Sequence, residues 1–198
     1  MIFDPKPIVL EGRHVRLEPL APQHAAGLFA ASGDPGIWTY LPYRQPVNVG
    51  EVQQWIDEAQ AAQQAGTEVA FATVRRSDGR IVGSTRYIDI RRPHRSLEIG
   101  WTWLSPEAQR TPVNTEAKYL MLCHAFDVQE AIRVQLKSDE RNEKSRAAML
   151  RIGAVFEGIL RNQMIRAYDG YLRNTAMYSI TVAEWPGVKV RLELKLKG

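Results

Sequence analysis

The stretch with most chemical promise runs from Leu97 to Glu116. Leu97-Glu-Ile-Gly-Trp-Thr-Trp-Leu reads as a strand, the residues to Thr115 as a loop, and Glu116 onward as a helix. A loop that feeds a helix N-terminus presents backbone N–H groups without intrahelical partners, at the positive end of the helix dipole. Such a place suits a pyrophosphate. Gln109 and Arg110 add side-chain donors there, and Asn114 or Thr115 can cap the helix. By spacing alone, an ordinary strand-to-helix connection would look the same. Other chemistries have less support. His14, His24, His94 and His124 show no metal-ligand spacing to one another or to Cys123, so no metal is expected. Cys123 falls within an apolar helix, where a core role outweighs a nucleophilic one. No Ser-His-Asp arrangement has support from spacing.

The elements that must position this segment are legible around it. Val15 to Leu20 alternates like a strand, and Pro22 to Ala31 reads as a short helix. Gly33 to Pro46 is a loop by its glycine and proline content, yet it carries Trp38, Tyr40 and Tyr43. Large aromatics in a loop bury against the core or against a ligand. Asn48 followed by Glu51 resembles a capping box, with Val52, Trp55, Ile56 and Ala59 on one face and Gly66 past the end. Strands are expected at Val69–Arg75, Arg80–Ile90 and Leu97–Leu104, the first two joined through Ser77-Asp78-Gly79. A buried helix is expected over Asn114–Gln129, a short strand at Val134–Lys137, and a helix from the Asn142 cap to Ile152 with Gly153 stopping it. Phe156–Ile165 and Tyr171–Val182 close as a hairpin around Asp169-Gly170. The order is β-α-α-β-β-β-α-β-α-β-β, an α/β domain with a mixed, mostly antiparallel sheet flanked by helices. From Pro186 to Gly198 the tail fits either a strand or one helix face, and its alternating apolar residues offer a homodimer contact.

Composition sets outer bounds. At 198 residues the chain suits one domain spanning 1–198. No run of eighteen apolar residues occurs, so no membrane helix is expected. The first residues, Met1-Ile-Phe-Asp-Pro-Lys-Pro, lack the basic-then-apolar pattern of a signal peptide. The single cysteine excludes an intrachain disulfide and fits a reducing compartment, so a cytoplasmic location is expected. Net charge is +4 from 26 basic and 22 acidic residues, and the densest basic block is only Arg91-Arg92-Pro93-His94-Arg95. Nucleic acid is therefore not expected as a partner, whereas a basic surface suits a ligand carrying several phosphates.

Taken together, the element order, Glu98-Ile-Gly-Trp, the loop from Gln109 to Thr115, Asn142-x-x-Ser145 and Ile152-Gly-Ala with Glu157-Gly158 resemble the GNAT superfamily of N-acetyltransferases, in its RimJ/RimL-type branch. The likeness spans about Leu10 to Trp185. It implies acetyl-CoA as co-substrate and direct attack of a primary amine on the thioester. The amine would belong to an amino acid, a peptide or protein N-terminus, or a small molecule. By the same resemblance Glu98 is the base, unless it pairs with Arg86. Ser145 serves the leaving sulfur, unless it only hydrogen-bonds its own backbone. A backbone amide near Trp103 or Leu104 receives the oxyanion, and Asn142 meets the pantetheine arm. The amides of Thr111, Val113, Asn114 and Thr115, with Gln109, Arg110 and Arg146, would bind the CoA phosphates. Trp38, Tyr40 and Tyr43, with Tyr171 and Tyr178 opposite, would line a moderately apolar acceptor slot. The loop departs from the family's Gln/Arg-x-x-Gly-x-Gly/Ala pattern, because Pro112 and Asn114 stand where small residues are usual. Proline removes one N–H and cannot take a positive φ. That departure motivates an alternative, a CoA-binding module without catalysis.

Overall fold

Eight strands join into one sheet in the computed structural model, which describes residues 3–197. In chain order they are β1 (Leu10–Glu11), β2 (Val15–Pro19), β3 (Val69–Arg75), β4 (Ile81–Arg91), β5 (Ser96–Leu104), β6 (Arg133–Asp139), β7 (Val155–Ile165) and β8 (Leu172–Thr181). The spatial order is β1-β2-β3-β4-β5-β6-β8-β7, and every neighbouring pair is antiparallel except β5 with β6. Five α-helices accompany them among the described residues: α1 (Ala25–Ala31), α2 (Val49–Gln64), α3 (Pro112–Cys123), α4 (Glu143–Arg151) and α5 (Trp185–Lys197). The expected order is present, with the two-residue β1 added in front and α5 behind.

Each strand's alternation separates two apolar layers. Leu97, Ile99 and Tyr87 point to the face covered by α3 and α5, together with Met121 and Leu192. Trp103 and Ala70 point to the other face, against Trp38 and the α2 residue Ile56. Local signals explain the helix ends. Asn48 caps α2 by accepting from the Glu51 amide at 3.0 Å, while the Glu51 carboxylate accepts from the Val47 amide. Gly66 takes φ +74° just past that helix, a value that suits glycine.

Two expectations need adjustment. The helix expected from Asn114 begins at Pro112, because proline is well placed in a first helical turn and Thr111 caps it. From His124 to Val128 the helix widens into a π-helical turn. The tail is a helix, since Trp185, Val188 and Leu192 share a buried face, while Val190 and Leu194 stay exposed. Trp185 stacks on Phe126 at 5.2 Å and donates to Asp127 at 2.6 Å.

The feature that makes a site is the parting of β5 and β6. Their ladder lasts three residues, Ser96–Arg133, Leu97–Val134 and Glu98–Gln135. Beyond Glu98, β5 runs on to Leu104 and β6 to Asp139 without pairing. A bulge lies on the other edge of β5. The β4–β5 register shifts between Ser84–Trp103 and Arg86–Gly100, and Trp101 takes φ +52° there.

Candidate active site

Glu98 stands at the last paired position before the strands diverge, and it is 1% exposed. A buried carboxylate needs partners. Lys137 Nζ lies 3.1 Å from Oε2, and Gln135 Nε2 donates to the same oxygen at 3.1 Å. Oε1 has no hydrogen-bond partner among the described residues. It leans over Gly100, since a Cβ built there would lie 2.8 Å from it. The alternative pairing with Arg86 does not occur, because Arg86 Nη1 donates to Glu68 at 2.8 Å. Glu98 is thus held by one oxygen, while the other lies buried and unpartnered beside a strand position with no side chain.

Backbone direction selects between the two amides expected for the oxyanion. The Ser105 amide donates to Val82 O at 2.8 Å, so alternation turns the Trp103 and Ser105 amides toward β4. Leu104 therefore faces the parting, and its carbonyl accepts from Gln109 Nε2 at 2.8 Å. The same alternation turns the amide of Thr102 to that side. The Trp103 side chain packs instead on Trp38, with ring centres 5.3 Å apart.

Two helix N-termini flank the opening. At α3, Thr111 Oγ1 accepts from the Val113 amide at 3.3 Å, and Arg110 takes φ +59°. Helix geometry leaves the amides of Thr111, Val113 and Asn114 outside the intrahelical ladder; Thr115 is the first to join it. The left-handed turn thus falls on Arg110 rather than on position 112, and Pro112 gives up an N–H that the helix does not use. Asn114 Oδ1 is buried without a partner. At α4, Asn142 Oδ1 accepts from the Ser145 amide at 3.0 Å, leaving its NH₂ outside the cap. Ser145 is half-buried in the first turn, and its Oγ has no partner among the described residues. Lys144 joins the two sides by donating to Gln109 Oε1.

Arg146 and Tyr178 lie elsewhere than expected. Arg146 Nε donates to Tyr178 Oη at 3.0 Å and Nη1 to Glu140 O at 3.0 Å. Tyr178 is buried in the layer that holds Met149 of α4, against Phe156, on the face opposite Trp38. The remaining aromatics form two groups. Tyr40 and Tyr171 meet across Arg141, whose guanidinium lies 5.8 and 4.0 Å from their ring centres. Arg166 beside them donates to Thr39 O at 2.8 Å, tying the loop to the β7–β8 hairpin. Trp38 and Tyr43 belong to a cluster with Trp55, Trp101 and Trp103. Trp38, Tyr43, Trp55 and Trp103 border a cavity of about 320 Å³. Another hollow, about 390 Å³, opens between α1 and the β3–β4 turn and contains none of the expected site residues.

Several contributors carried no readable signal. Lys137 and Gln135 are ordinary polar positions of a strand until β6 lies beside Glu98. Lys118 is 6% exposed in α3 and donates to Thr102 Oγ1 at 2.6 Å and Thr85 Oγ1 at 3.0 Å. Burial holds its ammonium down to about pKa 7. A lysine on the apolar face of the expected helix was the available hint. No group of three or more metal-ligating side chains is present among the described residues, and no helix there is long and apolar enough to cross a membrane.

Comparison with known proteins gives the same picture. Residues 14–155 match the model of the acetyltransferase (GNAT) domain. The provisionally named ribosomal N-acetyltransferase YdaF of Bacillus subtilis (strain 168) is 31% identical over 112 residues, 57% of this chain and 60% of that protein. The chain thus spans less than two thirds of that relative. A crystal structure of a GCN5-related N-acetyltransferase from Brucella melitensis is 33% identical, with a TM-score of 0.91 over 98% of this chain and 87% of that one. Mycobacterium smegmatis RimJ, solved in complex with CoA-disulfide, shares the fold at 22% identity and a TM-score of 0.79, covering 96% and 93% of the two chains. These names agree with a RimJ/RimL-type branch. A family model that covers most of the chain, and a sheet that parts between β5 and β6, lead to one assignment: the chain belongs to the GNAT acetyltransferase family.

Proposed function

We propose that the chain moves the acetyl group of acetyl-CoA to a primary amine held against Glu98, by direct attack in a ternary complex. The observation that carries this reading is the unpartnered Oε1 of Glu98, leaning over Gly100 where β5 leaves β6. A co-substrate with a pyrophosphate fits the residues present. The α3 N-terminus supplies free amides, and Arg110 is exposed beside it. Asn142 has amide hydrogens outside its cap for the pantetheine arm.

The roles follow from placement. Glu98 Oε1 accepts the amine proton directly or through one water, while Lys137 and Gln135 hold the other carboxylate oxygen in place. Leu104 and Thr102 aim amides at the side where the oxyanion develops. Ser145 Oγ donates to the departing sulfur, aided by the positive end of α4. Tyr40 and Tyr171 border the acceptor side, joined by Arg141. YdaF is provisionally named a ribosomal N-acetyltransferase, so protein N-termini belong in the acceptor panel.

Titration calorimetry with acetyl-CoA, followed by thiol release against amino acids, peptides and small amines, tests the reading. Binding with acceptor-dependent release is expected. Binding without release from any acceptor would leave the CoA-binding module as the better account. No binding at millimolar acetyl-CoA would end both.

A further inference from the structure

Arg86 presents two donors that no described residue answers. Arg86 of β4 is 2% exposed. Its guanidinium is stacked between the rings of Trp55 and Trp101, at 4.4 and 4.5 Å from their centres. Nη1 is spent on Glu68. Nε and Nη2 are buried and have no hydrogen-bond partner among the described residues. Those two nitrogens form the side-on fork of a guanidinium, which matches the two oxygens of a carboxylate. The molecule uses this fork elsewhere for that purpose: Arg75 grips Asp78, Arg141 grips Asp139 and Arg166 grips Asp169, each through Nε and Nη2. A buried guanidinium with two donors unanswered is costly, so a ligand that supplies the oxygens gains the difference.

The location gives the fork a purpose. Arg86 pairs with Gly100 across the β4–β5 ladder, and Glu98 is two residues from Gly100 on the same face. Diagonal neighbours of this kind stand about 7–8 Å apart. Glu98 Oε1 leans over Gly100 from one side, so an unpartnered acceptor and an unpartnered donor fork flank one bare strand position. Tyr43 and Trp55 of the surrounding cage also border the 320 Å³ cavity, which offers room for an apolar side chain.

Resting on the transferase reading, we infer that the acceptor is an amino acid with a free carboxylate, its amine at Glu98 and its carboxylate on the Arg86 fork. A peptide or protein N-terminus presents a single carbonyl oxygen there and leaves half of the fork unanswered. The test uses alanine, leucine and phenylalanine, each as the free acid, the amide and the decarboxylated amine. Each is titrated by tryptophan fluorescence and calorimetry into the CoA-saturated protein, and then assayed separately for thiol release from acetyl-CoA. The free acid of at least one set is expected to bind at least about 30-fold more tightly than its amide, as sites built around a polar group reject analogues lacking it. Arg86→Lys keeps the charge opposite Glu68 but loses the fork, and should bring that ratio to within about threefold with CoA binding unchanged. Arg86→Gln should do the same, and the lysine variant decides if the glutamine variant does not fold. Equal binding of acid and amide, no binding by any of the nine compounds, or a ratio that survives in Arg86→Lys would overturn the inference. Carboxylate-dependent binding without thiol release would instead count against the transferase reading.

Discussion

Glu98 illustrates how much a single residue depends on its neighbours. Its type and its place before Gly100 were readable in the chain, but the two residues that hold it lie 37 and 39 positions further on. No local pattern reports a partner brought in by a parallel strand after an intervening helix. Gly100 is the simplest position at which to probe the arrangement. A Cβ there would come within 2.8 Å of both Glu98 Oε1 and Ile88 Cδ1, so Gly100→Ala should lower kcat by about a hundredfold through displacement of the carboxylate. Acetyl-CoA affinity, read by calorimetry, should change less than threefold. Ser145→Ala removes a hydroxyl without touching the Asn142 cap, which uses the Ser145 amide. Its kcat should fall about tenfold with the melting temperature unchanged, consistent with loss of one hydrogen bond in the transition state. Arg146 and Tyr178 show the opposite case: their residue types suited a phosphate and an acceptor, yet they bind each other, because adjacency to Ser145 does not fix which way a helix turns its side chain.

Among the elements, α3 runs from the proposed phosphate end of the site to the bulge in β5. Lys118 reaches through the core to Thr102 and Thr85, on the two strands whose register shifts there. Burial lowers its pKa from 10.5 to about 7. Between those values the unfolded chain binds a proton that the folded chain does not, so stability from this group rises as pH rises from about 7 to 10.5. Lys118→Met should remove that rise, so the melting temperature of the unaltered protein should fall relative to the variant as pH drops from about 10 toward 7. A difference that stays constant with pH would show that the ammonium remains charged. The presence and direction of α3 were legible from the strand-loop-helix pattern, but its start was expected two residues late. Pro112 was misleading: it reads as a lost phosphate donor, while the helix places it in a first turn that suits proline, and the left-handed turn moves to Arg110. The bulge at Trp101 was invisible, since Trp-Thr-Trp alternates as well in a regular strand as in a shifted one.

At the scale of the molecule, one sheet carries two apolar layers, and the proposed site lies where the parallel pair β5 and β6 separates. The overall order was legible because turn residues and alternation mark each element; the tail was not, because its apolar spacing satisfies two periods. Packing decides it, through Trp185 on Phe126 and Val188 and Leu192 in the layer with α3. Trp185→Ala should destabilise the fold by about 3 kcal/mol, seen as a lower urea midpoint at unchanged slope. The most direct test of the whole account is turnover by Glu98→Gln at saturating acetyl-CoA, once an acceptor is in hand. If the amine is deprotonated where the strands part, kcat falls about a hundredfold or more while the acetyl-CoA KM stays within about twofold. Turnover equal to that of the unaltered protein would place the base elsewhere and contradict the account.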